Sequence, residues 1–395
     1  MKGILRTTLT HTTLVAVLAL SALVGRAVTA ADAPIVPKAP DIAASSYILV
    51  DAGSGKVLAE QGADETLPPA SLTKIMTSYV AATELAAGRV SLTDQVPISV
   101  KAWRMGGSKM FVREGTEVLL EELLKGVVIQ SGNDASVAVA EHIAGDELAF
   151  ADMMNRQADE LGMKLTNFRN ATGLPDEEHY TTARDLALLT DALIRQYPDH
   201  YAIYAQRSFR FNDIDQTNRN RLLWRDKTVD GVKTGYTKAA GYCLVSSALR
   251  DGQRLISVVM GTASDEARMR ESQKLLSFGF RYFETRKLYS AGVTLKSADI
   301  WYGAEDSVEL GITDDMVVTI PRGSSDDVVA EMRLPELIEA PLDQGTQLGE
   351  LRLTLGGEVI ARTPLVVLER AAEAGFFRKA WQGVVLFFTE LISGE

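Results

Sequence analysis

The order of strand-like and helical patterns limits the fold of this chain more than any other feature of its sequence. Strand patterns occur near the start and again after residue 229, and they lie at 46–51, 56–59, 244–249 and 255–260. Helical patterns fill the interval from Ser71 to about residue 196, and another covers about residues 265–283. Because strands from two distant parts of the chain must pair, we predict an antiparallel sheet built from both ends of this region, with helices packed on it.

The character of the sequence changes past about residue 286. Segments at 316–320 and 351–355 either alternate between polar and apolar residues or are rich in β-branched residues, and turns with Gly, Asp and Pro separate them. Gly356-Gly357 predicts a further hairpin. We therefore predict a small all-β domain over residues 286–369.

Residues 370–395 form a third kind of segment. Their apolar stretch covers about thirteen residues, which is too short to cross a bilayer. The apolar residues on one helical face are Phe377, Ala380, Trp381, Val384, Val385, Phe388, Leu391 and Ile392. We predict an amphipathic helix that anchors the protein to a membrane surface. A helix docked on the β domain and a dimer contact remain the alternatives.

The first thirty residues have the pattern of a secretory signal peptide. Lys2 and Arg6 precede an apolar run, and small residues end that run at Ala30. We predict cleavage after Ala30 and an exported mature chain. The expected compartment is the periplasm, on the outer face of the inner membrane. The net charge of −11 argues against nucleic acid as a partner.

Three short motifs carry the chemistry. The first is an S-x-x-K pattern at a helix start, where Ser71 and Lys74 share one face because residues three apart are neighbours on a helix. A serine hydroxyl is a weak nucleophile until a base removes its proton, and a lysine with a lowered pKa can act as that base. Alone, the pattern also fits a helix cap followed by a solvated lysine.

The other two motifs follow at wider spacing. In Ser131-Gly132-Asn133, the hydroxyl of Ser131 could relay a proton and the amide of Asn133 could hold a substrate carbonyl. In Lys233-Thr234-Gly235, the lysine supplies positive charge, the threonine can bind a carboxylate, and the glycine leaves room for a substrate beside the strand. Together, in this order, the three motifs resemble the acylation machinery of penicillin-recognising serine enzymes.

The sequence closely resembles the serine-type D-alanyl-D-alanine carboxypeptidases, the low-molecular-mass penicillin-binding proteins of peptidase family S11. The likeness includes the segments around the three motifs and extends through Asn218-Arg219-Asn220, residues 254–257 and residues 364–368. It implies an α+β fold: a β-lactamase/transpeptidase-like domain over 31–285, with helices on both sides of an antiparallel sheet. The all-β domain over 286–369 and the amphipathic anchor helix over 370–395 follow.

The resemblance also implies roles for individual residues. Ser71 attacks the substrate, Lys74 is the base and Ser131 shuttles the proton. Lys233, Thr234 and Arg268 hold the terminal carboxylate, with Arg219 the weaker candidate. The oxyanion hole would consist of the Ser71 backbone N–H and an N–H of the strand after the third motif. The implied substrate is the peptidoglycan pentapeptide, and β-lactams would be covalent inhibitors.

Alternative functions remain open at this stage. A class A β-lactamase would need a glutamate-bearing E-x-x-L-N loop, but residues 170–184 contain Glu177 and Glu178 without that pattern. A transpeptidase, or a non-catalytic protein of cell-wall morphogenesis, would retain the same three motifs. The chain has no H-E-x-x-H and no G-x-S-x-G pattern, which argues against a zinc peptidase and against a Ser-His-Asp hydrolase. We expect neither a metal nor another cofactor.

Overall fold

A computed structural model of the protein describes residues 36–393, with side chains through residue 387. The predicted signal peptide, residues 1–30, lies outside the described residues. The α-helices are Thr73–Ala86 (α1), Val100–Arg104 (α2), Leu120–Lys125 (α3), Asn133–Ala144 (α4), Glu147–Glu160 (α5), Ala183–Gln196 (α6), Pro198–Tyr201 (α7), Leu222–Arg225 (α8), Asp265–Tyr282 (α9) and Phe376–Ser393 (α10).

The first nine strands belong to the larger domain and the remaining seven to the smaller one. They are Ser46–Asp51 (β1), Val57–Gln61 (β2), Gln95–Pro97 (β3), Glu117–Leu119 (β4), Ser208–Phe211 (β5), Ile214–Thr217 (β6), Val229–Thr237 (β7), Gly241–Arg250 (β8), Gln253–Thr262 (β9), Phe283–Tyr289 (β10), Lys296–Asp299 (β11), Ser307–Gly311 (β12), Met316–Pro321 (β13), Val328–Arg333 (β14), Gln347–Leu355 (β15) and Glu358–Val367 (β16).

The central sheet joins the two ends of the larger domain, as predicted. Its order is β2-β1-β9-β8-β7, and every neighbouring pair is antiparallel. Successive residues of a strand point to opposite faces. Ile48 and Val258 therefore pack in the core beneath α1 and α3–α6, whereas Leu49 and Val259 pack with Leu275 of α9. The sheet thus has helices on both sides, which confirms the predicted fold class.

Side-chain caps explain where two of the larger helices begin. The Thr182 side chain accepts a hydrogen bond from the Asp185 N–H at the start of α6, and Ser264 does the same for Ala267 at the start of α9. Such caps satisfy N–H groups that have no partner within the helix. The start of α1 has no side-chain cap. Instead, a short 3₁₀ turn, Ala70–Leu72, leads directly into it; we call it the Ser71 turn.

The smaller domain is all β, as predicted, with a sheet of order β11-β12-β16-β15-β14 and a separate β10–β13 ribbon. Strand β10 begins at Phe283, directly after α9, so the predicted boundary at residue 286 falls inside that strand. The ribbon joins the two domains: Thr285 donates a hydrogen bond to Asp51 of β1, and Thr319 contacts Ser54 at 2.5 Å.

Helix α10 begins at Phe376, later than the predicted start at residue 370. Residues before it belong to the β domain, because Ala371 and Ala374 are buried and the Ala371 backbone pairs with Leu342. Gln382 on the helix accepts a hydrogen bond from the Tyr302 N–H at 2.7 Å. In the described part of the chain, no helix is both long and apolar enough to span a membrane.

Candidate active site

Ser71 sits in a turn whose backbone is held by its neighbours. The preceding residue, Ala70, has a φ of 48°, a left-handed conformation that residues with a Cβ seldom adopt. Thr73 Oγ1 donates a hydrogen bond to the Ala70 carbonyl at 2.8 Å. Gly173 lies directly against that carbonyl. A Cβ built on Gly173 would be only 1.8 Å from the carbonyl oxygen. These contacts fix the direction in which Ser71 points.

Lys74 is buried directly behind Ser71. Its side chain is 0% exposed, and Nζ lies 3.3 Å from Ser71 Oγ, 2.7 Å from Asn133 Oδ1 and 2.5 Å from the Thr172 carbonyl. Burial lowers the pKa of Lys74 to about 7, and the positive charge of Arg219 adds to that effect. At neutral pH a large fraction of Lys74 is therefore unprotonated and able to accept the Ser71 proton.

Ser131 follows a π-helical segment, Gly126–Gln130, and has a left-handed φ of 63°. The left-handed residue ends the helical segment at Ser131. Lys233 Nζ donates to Ser131 Oγ at 2.9 Å and to the Thr234 carbonyl at 2.9 Å. The pKa of Lys233 is far below its ordinary value, first because of burial and then because of the charge of Lys74.

Both polar atoms of the Asn133 side-chain amide form hydrogen bonds within the protein. Its Oδ1 accepts from Lys74, and its Nδ2 donates to the Gly106 carbonyl at 2.7 Å. Next to it, buried Asp134 accepts backbone hydrogen bonds from Met110 at 2.9 Å and from two following residues, Phe111 and Val112. Asn133 and Asp134 therefore hold the loop after α2, which contributes Gly107 and Ser108 to the cavity beside Ser71.

Strand β7 forms the opposite wall and is an edge strand of the sheet. Gly235 packs tightly against the Ser71 turn: a Cβ on it would lie 3.1 Å from the Pro69 carbonyl and 3.3 Å from Ala70 Cβ. From the sequence, we expected this glycine to leave space for a substrate beside the strand. The structure gives another reason, since that space is filled by the turn that carries Ser71.

Two arginines at the end of this cavity differ in what they contact. Arg268 is buried and committed to the protein, because it donates to the Gly235 carbonyl at 3.0 Å and pairs with Asp265. Arg219 is exposed at the cavity, and among the described residues its guanidinium has no hydrogen-bond or ion-pair partner. Its pKa is lowered by burial and then by the charge of Arg268. The guanidinium N–H groups of Arg219 are therefore available to bind an anion.

The cavity bounded by these elements has a volume of about 480 Å³. Seven of the nine predicted site residues line it, and Lys74 and Lys233 lie buried behind it with hydrogen bonds to the two serines. The seven lining residues are Ser71, Ser131, Asn133, Arg219, Thr234, Gly235 and Arg268. The two arginines that line this space, Arg219 and Arg268, favour an anionic ligand and developing negative charge on oxygen.

Comparison with known proteins decides the family. The family model for D-alanyl-D-alanine carboxypeptidase, peptidase S11, matches residues 33–264, and the model for the C-terminal domain of penicillin-binding protein 5 matches residues 283–373. This chain belongs to the D-alanyl-D-alanine carboxypeptidase family. It is 45% identical over 359 residues to D-alanyl-D-alanine carboxypeptidase DacC of Escherichia coli (strain K12). The matched region covers 89% of this chain and 90% of that protein.

Solved structures of the family agree with this assignment. Penicillin-binding protein 5 from Haemophilus influenzae superposes with a TM-score of 0.83 at 42% identity, covering 86% of this chain and 100% of that one. Penicillin-binding protein D2 from Listeria monocytogenes, solved in an ampicillin-bound form, gives a TM-score of 0.57 at 28% identity and covers 61% of this chain and 100% of that one. These matches confirm the resemblance seen in the sequence.

Several contacts of this carboxypeptidase-family site could not be predicted from the sequence. The Thr172 carbonyl and Gly173 belong to a loop that lies beside Ser71 in space but about a hundred residues from it in sequence. No local sequence pattern predicts this contact. His179 from the same loop hydrogen-bonds Thr73 Oγ1 through Nε2 at 2.9 Å. Asp134 directly follows the second motif, and its carboxylate organises the loop after α2.

Proposed function

We propose that this protein is a serine-type D-Ala-D-Ala carboxypeptidase that removes the terminal D-alanine from peptidoglycan pentapeptides. The contact between Lys74 Nζ and Ser71 Oγ carries the proposal, because the pKa of Lys74 is lowered to about 7. Lys74 takes the Ser71 proton while Oγ bonds to the carbonyl carbon of the penultimate D-alanine. The C–N bond breaks, and the departing amine of D-alanine receives a proton relayed by Ser131. Water then hydrolyses the ester and restores Ser71.

The remaining site residues bind and orient the substrate. The terminal carboxylate lies among Thr234, Lys233 and Arg219, with Arg268 fixing the β7 backbone beside them. Asn133 holds Lys74 in place through Oδ1, and its Nδ2 donates one hydrogen to the Gly106 carbonyl. The predicted role of Asn133, holding a substrate carbonyl, therefore falls to the second hydrogen on Nδ2. The N–H of Ser71 and an N–H of β7 after Gly235 stabilise the oxyanion.

Arg219→Gln tests the assignment of the carboxylate-binding arginine. We expect kcat/KM for a peptide ending in free D-alanine to fall about tenfold, because one charge-assisted contact at a partly exposed site is lost. A peptide ending in D-alaninamide should lose little. Steady-state D-alanine or D-alaninamide release measures both rates. The matched control is Arg225→Gln, an exposed arginine outside the cavity. Equal losses on the two peptides would contradict the assignment.

The pH dependence of acylation tests Lys74 as the base. Only unprotonated Lys74 accepts the Ser71 proton, so the acylation rate should rise with pH through about 7 and level off above it. Rapid-mixing measurements with a chromogenic β-lactam between about pH 5.5 and 9 give this profile, with circular dichroism confirming a folded protein at each pH. A rate that is flat, or that falls as pH rises through 7, contradicts the role.

The activity itself is tested with a fluorescent penicillin and with diacetyl-Lys-D-Ala-D-Ala, using Ser71→Ala beside the parent protein. We expect stable labelling of the parent and release of D-alanine, and neither from Ser71→Ala. Rapid turnover of penicillin would indicate a β-lactamase instead, and transfer of the acyl group to an added amine would indicate a transpeptidase. Asp265 is the sole carboxylate among the described lining residues, and it pairs with Arg268 and Arg221. A β-lactamase would need a free carboxylate there to activate the deacylating water.

Export and membrane attachment complete the proposal. The signal-like N-terminus would deliver the protein to the periplasm, and α10 would hold it on the outer face of the inner membrane. Phe376, Phe377 and Trp381 support attachment because they are 80%, 87% and 68% exposed, which is costly for aromatic side chains in water. The polar side of the helix faces the β domain through Gln382 and Arg378.

A double substitution, Phe377→Ser with Trp381→Ser, tests the anchor without removing the contacts of the helix to the β domain. Because apolar burial supplies most of the affinity, we expect binding of the mature protein to phospholipid vesicles to fall at least about tenfold. Vesicle co-sedimentation measures it. Leu188→Ser, which changes an exposed leucine of the catalytic domain, is the control. Unchanged binding of the double variant would contradict the anchor.

A further inference from the structure

Two buried polar side chains, Thr73 and His179, lie beside the Ser71 turn, and no step of the proposed reaction uses either of them. The Thr73 hydroxyl has two hydrogen-bond partners. Oγ1 donates its hydrogen to the Ala70 carbonyl at 2.8 Å, and it lies 2.9 Å from His179 Nε2. Thr73 therefore connects the residue that precedes the nucleophile to a loop that is distant in sequence.

These hydrogen bonds define which ring nitrogen of His179 carries a hydrogen. A hydroxyl has one hydrogen, and that of Thr73 is directed to the Ala70 carbonyl, so Oγ1 can only accept from His179. His179 Nε2 therefore carries the hydrogen. His179 Nδ1 accepts the Arg169 N–H at 3.4 Å, which agrees with this tautomer. Burial lowers the pKa of His179 to about 4, so at neutral pH the ring is uncharged and has only that one N–H.

The carbonyl that Thr73 holds belongs to the same peptide group as the Ser71 N–H. It accepts two hydrogen bonds from Thr73, one from Oγ1 and one from the backbone N–H. The peptide bond between Ala70 and Ser71 is trans, so its C=O and its N–H lie in one plane and point in opposite directions. Fixing the Ala70 carbonyl therefore also fixes the direction of the Ser71 N–H.

The Ser71 N–H is available to a ligand. No backbone carbonyl of the described residues accepts a hydrogen bond from it, and Ser71 lines the catalytic cavity. Gly173 lies on the opposite side of this peptide group, against the Ala70 carbonyl. Hydrogen bonds in a chain polarise one another, so the bonds that the Ala70 carbonyl accepts make the Ser71 N–H a stronger donor. Thr73 thus both directs this N–H and strengthens it.

We propose that Thr73 and His179 are positioning residues for the oxyanion of the reaction. His179 fixes the Thr73 hydroxyl, and Thr73 fixes the Ala70 carbonyl. The Ser71 N–H is thereby held in the direction of the oxyanion that forms during acylation and again during deacylation. Neither side chain contacts the substrate, since both act through one peptide group. The inference rests on the proposed carboxypeptidase function, in which this N–H stabilises the oxyanion.

The infrared band of the acyl-enzyme ester tests the role of Thr73. The mature protein is acylated with a penicillin that carries ¹³C at its β-lactam carbonyl, and difference spectra identify the band. Thr73→Val keeps the shape of the side chain but removes its hydrogen bonds. We expect the ester band to move to higher wavenumber, because the carbonyl then accepts weaker hydrogen bonds. Acylation should slow about tenfold, less than the roughly 10²–10³-fold cost of losing a whole oxyanion donor.

Two further variants of threonine complete this experiment. Thr73→Ser keeps the hydroxyl and should recover most of the lost rate and the band position of the parent. The matched control is Thr190→Val in α6, which removes another buried threonine hydroxyl that donates to a backbone carbonyl, that of Leu186 at 2.7 Å. It should lose comparable stability in thermal unfolding, with the acylation rate and the ester band unchanged.

His179 is tested alone and together with Thr73. His179→Leu removes the donor to Thr73, and we expect acylation to slow about threefold because one bond of the chain is lost. His179→Gln, whose side-chain amide can donate to Thr73, should recover that loss. In the Thr73→Val background, His179→Leu should cause no further loss, because His179 acts through Thr73. Nuclear magnetic resonance of the parent protein with ¹⁵N-labelled histidine should place the His179 hydrogen on Nε2 at neutral pH.

Three results overturn this inference and leave the proposed function intact. They are a hydrogen on Nδ1 of His179 in the parent, an unmoved ester band in folded Thr73→Val, and losses from the Thr73 and His179 substitutions that add in the double variant. Should Thr73→Val fail to fold, the tautomer and the comparison of His179→Leu with His179→Gln still decide the matter. A parent protein that forms no ester with penicillin would instead contradict the proposed function itself.

Discussion

Replacing Lys74 with methionine is expected to slow acylation of Ser71 by about 10²–10⁴-fold, the usual contribution of a general base. Methionine keeps the length and burial of the side chain but cannot accept the proton that Ser71 must lose. Lys233 cannot substitute for it, because among the described residues its Nζ hydrogen-bonds Ser131 Oγ and not Ser71 Oγ. A time course of labelling with fluorescent penicillin measures the rate.

The control for this variant is Lys296→Met, which removes an exposed lysine of the β domain. It should acylate at the parent rate. Lys74→Met also leaves Asn133 Oδ1 and the Thr172 carbonyl without a donor, so its thermal unfolding must be recorded alongside. A folded Lys74→Met protein that acylates within tenfold of the parent would show that Lys74 is not the base.

Gly173→Ala has the second largest expected effect. A Cβ at residue 173 would lie 1.8 Å from the Ala70 carbonyl oxygen, so either the loop or the Ser71 turn must move. We expect a loss of about 2–5 kcal/mol in the free energy of unfolding, from overpacking and a left-handed backbone together. Acylation should slow at least about 10²-fold, because a displacement of about 1 Å misplaces Ser71.

Gly162→Ala is the matched control for that clash. Gly162 has a similar φ of 76° to the 80° of Gly173, but a Cβ there would meet nothing within 4 Å. It should therefore lose only the backbone contribution, about 1–2 kcal/mol, and keep its acylation rate. Denaturant unfolding and penicillin labelling compare the two variants. If both lose the same stability and neither changes the acylation rate, Gly173 does not hold the Ser71 turn.

Much of the fold could be predicted from sequence because its signals are local. The strand patterns at 244–249 and 255–260 and the helical pattern at about 265–283 depend only on neighbouring residues, and they correspond to β8, β9 and α9. The change of pattern at the end of α9 likewise indicated a second domain. The exact boundary was harder, since β10 follows α9 without a linker and is defined by its pairing with β13.

The three motifs could be recognised in the sequence because each contains polar side chains that the proposed reaction needs. Their supporting contacts could not. The carbonyl of Thr172, the missing side chain of Gly173 and the carboxylate of Asp134 act across long sequence separations, and two of these three are properties of the backbone. The sequence also does not show which of Arg219 and Arg268 has N–H donors available for a substrate carboxylate. That difference depends on hydrogen bonds within the protein, such as the one from Arg268 to the Gly235 carbonyl.

The central claim is that Ser71 is the nucleophile that forms the acyl-enzyme, and mass spectrometry tests it most directly. The mature protein is incubated with benzylpenicillin, its intact mass is recorded, and the modified peptide is located after proteolysis. The account predicts one added penicillin per chain, carried by Ser71, and no adduct on Ser71→Ala. An adduct on another residue, or an unmodified Ser71 in folded protein after prolonged incubation, would contradict it.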